Sequence, residues 1–361
     1  MNEVSGHDAQ LSFPEWMCEC SREDCPVFAY CGGCNEGCVY LRFRCPKDKV
    51  CSECQVLCKA RTDLMSFLED VRTPELDSTF GLPSVPQLAN YVSQLDDSPA
   101  LNLGPDGHYA VPLSKWVTNP KGVRAWNMPT GNAKRRLGIP ETGTLLLAGQ
   151  ASDRLLHGFW CHRTVCGDPW QAIGEAGFDI VLGPDFSVWS NAPRIEYMIE
   201  MKRSLVAAAE IQQCGIPVAP NVLLHSGRDV ERWADWIKAN DTVTAIATNV
   251  QFLTKRKRSG KAMRNINEIA EIFRELRGKL NREIQLVAIG VLQPSHVRLL
   301  GKTGFSVTVV NGKAFQAACH WRRLVVQDAS ITEIEDKGAT KQDLYEANEK
   351  LLAQVYDEIL E

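Results

Sequence analysis

Six short apolar runs, separated by segments of helical pattern, occupy the chain from about Gly143 onward. They are Thr144–Leu147, Phe178–Leu182, Val218–Leu224, Val243–Ala247, Ile284–Val291 and Phe305–Val310. Between them lie Arg194–Gln213, Val230–Lys238 and Ile266–Leu280. In the last of these Ile266, Ile269, Phe273, Leu276 and Leu280 recur at helical spacing and make one apolar face. A strand that is apolar at nearly every residue cannot leave one face wet, so helices must cover the sheet. The alternation predicts an α/β fold built on a parallel sheet. Five or six such units fit a TIM-barrel-like sheet, whole or incomplete, better than an open doubly wound one.

The first 142 residues follow different rules. Residues 1–60 form a cysteine-rich module, too poor in aliphatic side chains to make a core unaided. Residues 61–142 read as an irregular and helical connecting region, with helices at Met65 to Val71 and Val85 to Leu95. A stretch rich in Pro, Gly and Asn runs from Pro99 to Gly143. The barrel-like domain then spans 143–330. Residues 331–361 end the chain as an acidic amphipathic helix carrying Leu344, Leu351, Leu352, Val355 and Ile359, with Thr340 and Asp343 placed for a capping box.

Ten of the 14 cysteines fall in that first module: Cys18, Cys20, Cys25, Cys31, Cys34, Cys38, Cys45, Cys51, Cys54 and Cys58. Cys31, Cys34 and Cys38 have the spacing C-x2-C-x3-C, and Cys51, Cys54 and Cys58 repeat it. Closely spaced thiolates let one loop wrap a soft metal centre. No secretory leader is legible at the N-terminus, so metal is expected in place of a disulfide framework, and the expected location is cytoplasmic. The cofactor is a [4Fe-4S] cluster or zinc, and two centres are arithmetically available. The spacing slightly favours iron–sulfur, and which cysteines share a centre stays open. Cys161-His162-x3-Cys166 is too small a set to make a site by itself.

A net charge of −4 gives no global attraction to nucleic acid. Local patches do. Lys255, Arg256, Lys257, Arg258, Lys261 and Arg264 place six cations in ten residues soon after the Val243 run, where a barrel loop would overhang the mouth and hold phosphate. Lys134-Arg135-Arg136, near Trp126, is a second and weaker patch. No apolar run reaches the length of a membrane span. The expected partners are therefore nucleic acid and other protein subunits, with no membrane.

In parallel α/β folds chemistry gathers beyond the carboxyl ends of the strands. There the sequence offers Asp185, Asn221, Thr248, Asn249, Gln293 and Asn311 as ligand-binding residues. Asp185 is the one carboxylate among them, placed to act as a general base or to grip an amide-bearing ligand. The bland alternative for it is an Asx turn or a cap on the following helix. His225 and His296 also lie just past strand ends. Walker, GxGxxG, HExxH and G-x-S-x-G patterns are absent, as is the C-x3-C-x2-C order of radical S-adenosylmethionine enzymes.

These positions carry a resemblance. Gly183-Pro-Asp-Phe-Ser-Val-Trp-Ser-Asn-Ala-Pro193 is followed by Arg203, by Gln213-Cys-Gly-Ile-Pro-Val-Ala-Pro-Asn221 and by Ile246-Ala-Thr248. Over roughly 175–255 the chain resembles the bacterial and phage domain of unknown function 4417, with its PDFSV, GIxVxPNV and IxT elements in order. The resemblance implies a phage or other mobile-element setting and brings no activity. Ala288-Ile-Gly-Val-Leu-Gln-Pro-Ser-His296, then Gly304-Phe-Ser-Val-Thr-Val-Val-Asn311, is similar in layout to the tRNA-guanine transglycosylases. That likeness implies a nucleobase-modifying barrel with Asp185 as its first acid. The nucleophilic aspartate it requires would fall near Val310 or Asn311, neither of which can attack a glycosidic carbon. Of its later zinc ligands only Cys319 and His320 remain. Two functions follow: a metal-cluster-bearing barrel acting on a nucleobase, or a non-catalytic subunit that binds nucleic acid or a partner through the cysteine module and basic loop.

Overall fold

A computed structural model of the chain describes residues 70–96, 101–117, 131–163, 169–187, 194–224, 227–251 and 266–361. The ten cysteines from Cys18 to Cys58, the cations from Lys255 to Arg264, His225 and Cys166 lie outside the described residues. The chain divides into two compact units, Met1–Glu75 with Ser187–Arg203, and Leu76–Phe186 with Ser204–Glu361.

All the long-range sheet belongs to the second unit. Its strands are β1 (Tyr91–Gln94), β2 (His108–Pro112), β3 (Thr144–Ala148), β4 (Ile180–Leu182), β5 (Val218–Ala219), β6 (Ala245–Asn249), β7 (Gln285–Ile289) and β8 (Ser306–Asn311). They neighbour one another in the order β5-β4-β3-β2-β1-β8-β7-β6, and every pairing is parallel. The remaining seam lies between the ends of that list. There Asn221 bridges Ala247 in parallel, Val222 N donates to Ala247 O at 2.7 Å and Ala247 N to Pro220 O at 2.8 Å. Spatial order therefore follows chain order around a nearly closed, TIM-barrel-like ring.

Ten helices accompany the strands among the described residues: α1 (Leu113–Trp116), α2 (Ala133–Leu137), α3 (Asp153–His162), α4 (Pro169–Glu175), α5 (Arg194–Gln213), α6 (Gly227–Ala239), α7 (Ile266–Lys279), α8 (Pro294–Gly301), α9 (Lys313–Cys319) and α10 (Lys341–Leu360). In α7 the expected face is buried through Ile266, Ile269, Phe273 and Leu276. Helix α10 starts with the expected capping box, in which Thr340 Oγ1 accepts from Asp343 N at 3.1 Å and the Asp343 carboxylate accepts from Thr340 N at 3.2 Å. Its buried stripe runs through Leu344, Tyr345, Asn348, Leu352 and Tyr356, so tyrosines replace the expected Leu351, Val355 and Ile359.

Side chains of alternating parity fill the ring: Val92, Ala110, Leu146, Ala148, Ile180, Leu182, Ala219, Ala245, Ala247, Val287, Ile289 and Val310 make one buried cluster. Val85 and Leu88 belong to the same cluster and plug its amino end. This corrects the reading of Val85 to Leu95 as a helix. Its polar backbone groups are taken by side chains of the surrounding strands: Leu88 N donates to Gln285 Oε1, Gln285 Nε2 to Leu88 O, Thr308 Oγ1 to Ala89 O and Thr244 Oγ1 to Val85 O. With those bonds made across the barrel base, the segment stays extended and runs into β1. The stretch read as a connecting region thus contributes β1 and β2 to the barrel.

After α9 the chain inserts an antiparallel hairpin, β9 (Arg322–Gln327) and β10 (Ser330–Glu335), turning at Asp328 and Ala329, both at positive φ. A lone two-stranded ribbon exposes two open edges. Here amide side chains cover part of each. Gln293 makes paired bonds with the N and O of Ile331 on β10, while Asn348 accepts from Leu324 N at 2.7 Å and donates to Arg322 O at 3.0 Å on β9.

Candidate ligand site at the barrel mouth

The β4 strand leaves the barrel as Gly183-Pro184-Asp185-Phe186, and each residue is fixed. Gly183 N donates to Ala219 O at 2.8 Å, Ser204 Oγ donates to Pro184 O, and Asp185 N donates to Gly149 O at 3.3 Å. Phe186 is buried, with its ring edge-on to those of Trp160 and His157 on α3. Two glycines allow this close approach. A Cβ on Gly149 would lie 2.5 Å from Leu182 O, and one on Gly183 would lie 3.0 Å from Asn221 N.

So held, the half-buried Asp185 carboxylate accepts from two amides. Asn221 Nδ2 donates to one oxygen at 2.8 Å and Asn249 Nδ2 to the other at 2.7 Å. Asn221 has the interior parity of Ala219, and Asn249 that of Ala245 and Ala247. Asn249 Oδ1 in turn accepts from Gln251 N at 3.0 Å, which fixes which way its amide faces. Three successive strands therefore meet at one carboxylate beside the β5–β6 seam, above an apolar floor that includes Ala148, Leu182, Ala219 and Ala247. An oriented carboxylate there is an acceptor for N–H donors.

The other strand-end residues go elsewhere. Gln293 spends its amide on Ile331 of the hairpin. Asn311 is buried and fully used: its Nδ2 donates to Val291 O at 2.8 Å and to the Tyr356 hydroxyl at 3.1 Å, while its Oδ1 accepts from Lys313 N at 3.1 Å. Thr248 is buried with the parity opposite to Ala247 and Asn249, on the outward side of β6. His296 is half-buried on α8, and burial lowers its pKa. Cys161 is a free, exposed cysteine, and no group of His, Cys, Asp or Glu able to hold a metal ion occurs among the described residues.

Two mouth residues escaped the sequence reading. Gln94 ends β1 with the interior parity of Val92, and Gln150 follows β3 with that of Ala148. The buried Nε2 of Gln150 has no hydrogen-bond partner. Gln94 was hidden because its strand lies in a stretch read as helix. For Gln150 the signal was available, three residues past the Thr144–Leu147 run.

No protein-family model and no curated protein matches the chain. Solved structures similar to it include the native KDPGal structure, at 9% identity and a TM-score of 0.36, covering 77% of this chain and 99% of that one. Another is the YdjI aldolase from Escherichia coli K12, at 10% identity and a TM-score of 0.38, covering 75% of this chain and 91% of that one. Likeness this distant bears on neither the fold nor the chemistry, which rest on the strand order and the site geometry. Among the described residues no helix is long and apolar enough to cross a membrane.

Proposed function

We propose that the chain binds nucleic acid and takes a nucleobase into the barrel mouth, with Asp185 accepting the base's N–H groups. The observation that carries this is the carboxylate held between the Asn221 and Asn249 amides above an apolar floor. It supports a ligand that is flat, largely apolar and rich in N–H donors. The three stretches that carry the resemblance to the domain of unknown function 4417 supply the site: Asp185 comes from the first, Asn221 from the second, and Asn249 directly follows the third.

In this proposal Lys255, Arg256, Lys257, Arg258, Lys261 and Arg264 hold the phosphates, and the ten cysteines from Cys18 to Cys58 bind zinc or a [4Fe-4S] cluster that gives their segment its cohesion. Between the two functions left open by the sequence, the binding subunit is favoured by Asn311. Transglycosylase-like exchange needs a nucleophile near that position, and the Asn311 side chain is committed to Val291, Tyr356 and Lys313. Any chemistry at the bound base would fall to Asp185 as a proton acceptor.

Calorimetric titration with the four common nucleosides, on the wild-type chain and on Asp185→Asn, tests the reading. At least one nucleoside should bind the wild type, and the variant should lose that binding while melting within a few degrees of it. Failure of every nucleoside to bind, or equal binding by the variant, would remove the mouth from the proposal. Metal and acid-labile sulfide analysis of the anaerobically purified chain tests the cysteine assignment separately. Less than half an equivalent of zinc plus iron would end it.

A further inference from the structure

One exposed tryptophan adopts a backbone conformation that a tryptophan disfavours. Trp321 follows α9 with φ at +57°, in the left-handed region where glycine usually closes a helix. Its N–H donates to Ala318 O at 3.1 Å and its O accepts from Asp336 N at 2.9 Å, so the backbone job at this position is an ordinary helix stop. Any residue can make those two bonds, and glycine would make them with less strain. The residue is nevertheless 38% exposed, so packing accounts for the side chain only in part. An outlier of this sort, at a position where a cheaper residue would do, points to a use for the side chain.

The surroundings indicate which use. Lys341 Nζ lies 5.5 Å from the centre of the Trp321 ring. Each neighbouring cation meets a carboxylate: Lys313 and Arg322 share Glu333, Arg323 pairs with Asp336, and Lys337 with Glu335. Lys341 joins no ion pair among the described residues and is exposed, as is His320. A partly exposed aromatic ring with a cation at its face that joins no ion pair is the combination that can hold an unpaired base and its phosphate together.

We infer that Trp321 and Lys341 form a stacking platform for single-stranded nucleic acid, DNA or RNA. The platform rests on the proposed nucleic-acid partner but not on the Asp185 site. It is independent of strand sequence, because every base offers a π-face.

The test uses the full chain and short fluorescein-labelled single strands, oligothymidylate and oligouridylate, each with an abasic counterpart, read by anisotropy. Trp321→Gly should weaken binding of the base-bearing strands by roughly 5- to 150-fold, the range expected for one lost stacked base, while Trp321→Phe keeps most of the affinity. Abasic strands should bind the wild type and Trp321→Gly alike. Comparison of the two base-bearing strands tells DNA from RNA. Unchanged affinity in Trp321→Gly, an equal loss for abasic strands, or no binding of either strand by the wild type would overturn the platform. Asp185→Asn separates the two readings. If it loses nucleoside binding but keeps strand binding, both stand. If nucleosides never bind yet Trp321→Gly loses the strand, the platform stands and the mouth does not.

Discussion

On the β4–β6 side of the barrel mouth the amides of Asn221 and Asn249 both point at a carboxylate, Asp185. On the β7–β8 side Gln293 and Asn311 occupy equivalent strand-end places, but their amides are spent on backbone carbonyls and N–H groups of β10, Val291 and Lys313. The same residue types thus do two jobs. What separates them is what each amide meets. Beside the hairpin and C-terminal helix added after α9, the mouth amides satisfy backbone groups, Gln293 those of the hairpin and Asn311 those of Val291 and Lys313. Where no such addition intrudes, the amides orient a charge. A polar strand end therefore marks a site only when its partner is another side chain able to face a ligand.

That contrast predicts unequal costs. The largest should come from Asn311→Ala. It leaves Val291 O and Lys313 N without their side-chain partner in a buried setting, and each orphaned group costs roughly 1–3 kcal/mol. Chemical denaturation should show a loss above about 2 kcal/mol with nucleoside binding otherwise intact. A loss of binding without a loss of stability would move Asn311 to the ligand side of the comparison.

Asp185→Ala should cost less, about 1–3 kcal/mol, because it strands the buried Asn221 amide, while Asn249 is half-buried and can turn to water. Asp185→Asn should cost under about 1 kcal/mol and still abolish binding, since an amide oxygen can keep one of the two bonds. Equal melting points for the alanine and asparagine variants would contradict the hydrogen-bond geometry.

Gln293→Ala should be milder again, about 1 kcal/mol or less, because Gln293 is half-buried and water can replace it at Ile331. Hydrogen exchange should rise at Ile331 and leave Val181 and Val287 slow. Faster exchange across the barrel strands would mean that the hairpin supports the ring itself.

How much of this could be read from the sequence depended on where each residue's partners lie. Six of the eight barrel strands were legible because apolar runs such as Ile284–Val291 are buried on both sides and say so locally. β1 was not, because the Val85 to Leu95 stretch takes its hydrogen bonds from Gln285, Thr308 and Thr244, more than 150 residues away. Asp185, Asn221 and Asn249 were each legible as strand-end residues, and strand order brought them together. That Gln293 and Asn311 spend their amides inside the fold was not legible, since nothing local indicates that a hairpin and Tyr356 will come to claim them.

The smallest effect expected concerns pH and lies under α10, on the scaffold side of the comparison. Glu349 is largely buried, and the Tyr345 hydroxyl stands 3.2 Å from its Oε1 and 3.0 Å from Ser93 Oγ on β1. Burial raises the Glu349 pKa above the ordinary carboxyl value; the Tyr345 hydrogen bond opposes this and nearby Glu346 adds to it. A carboxyl whose pKa is higher folded than unfolded binds its proton more tightly in the native chain. Its contribution to stability is complete below the unfolded pKa and is lost as pH rises through the folded one. Glu349→Gln keeps the shape and removes the charge. The variant should therefore match the wild type in acid and become slightly more stable than it toward neutral pH, with nucleoside and strand binding unaltered. Urea midpoints measured from the ordinary carboxyl range upward give the comparison directly. A variant that is less stable than the wild type at neutral pH would mean that the ionised Glu349 is worth more to Tyr345 than its burial costs, and the C-terminal helix would then be held by charge where packing is now assigned the role.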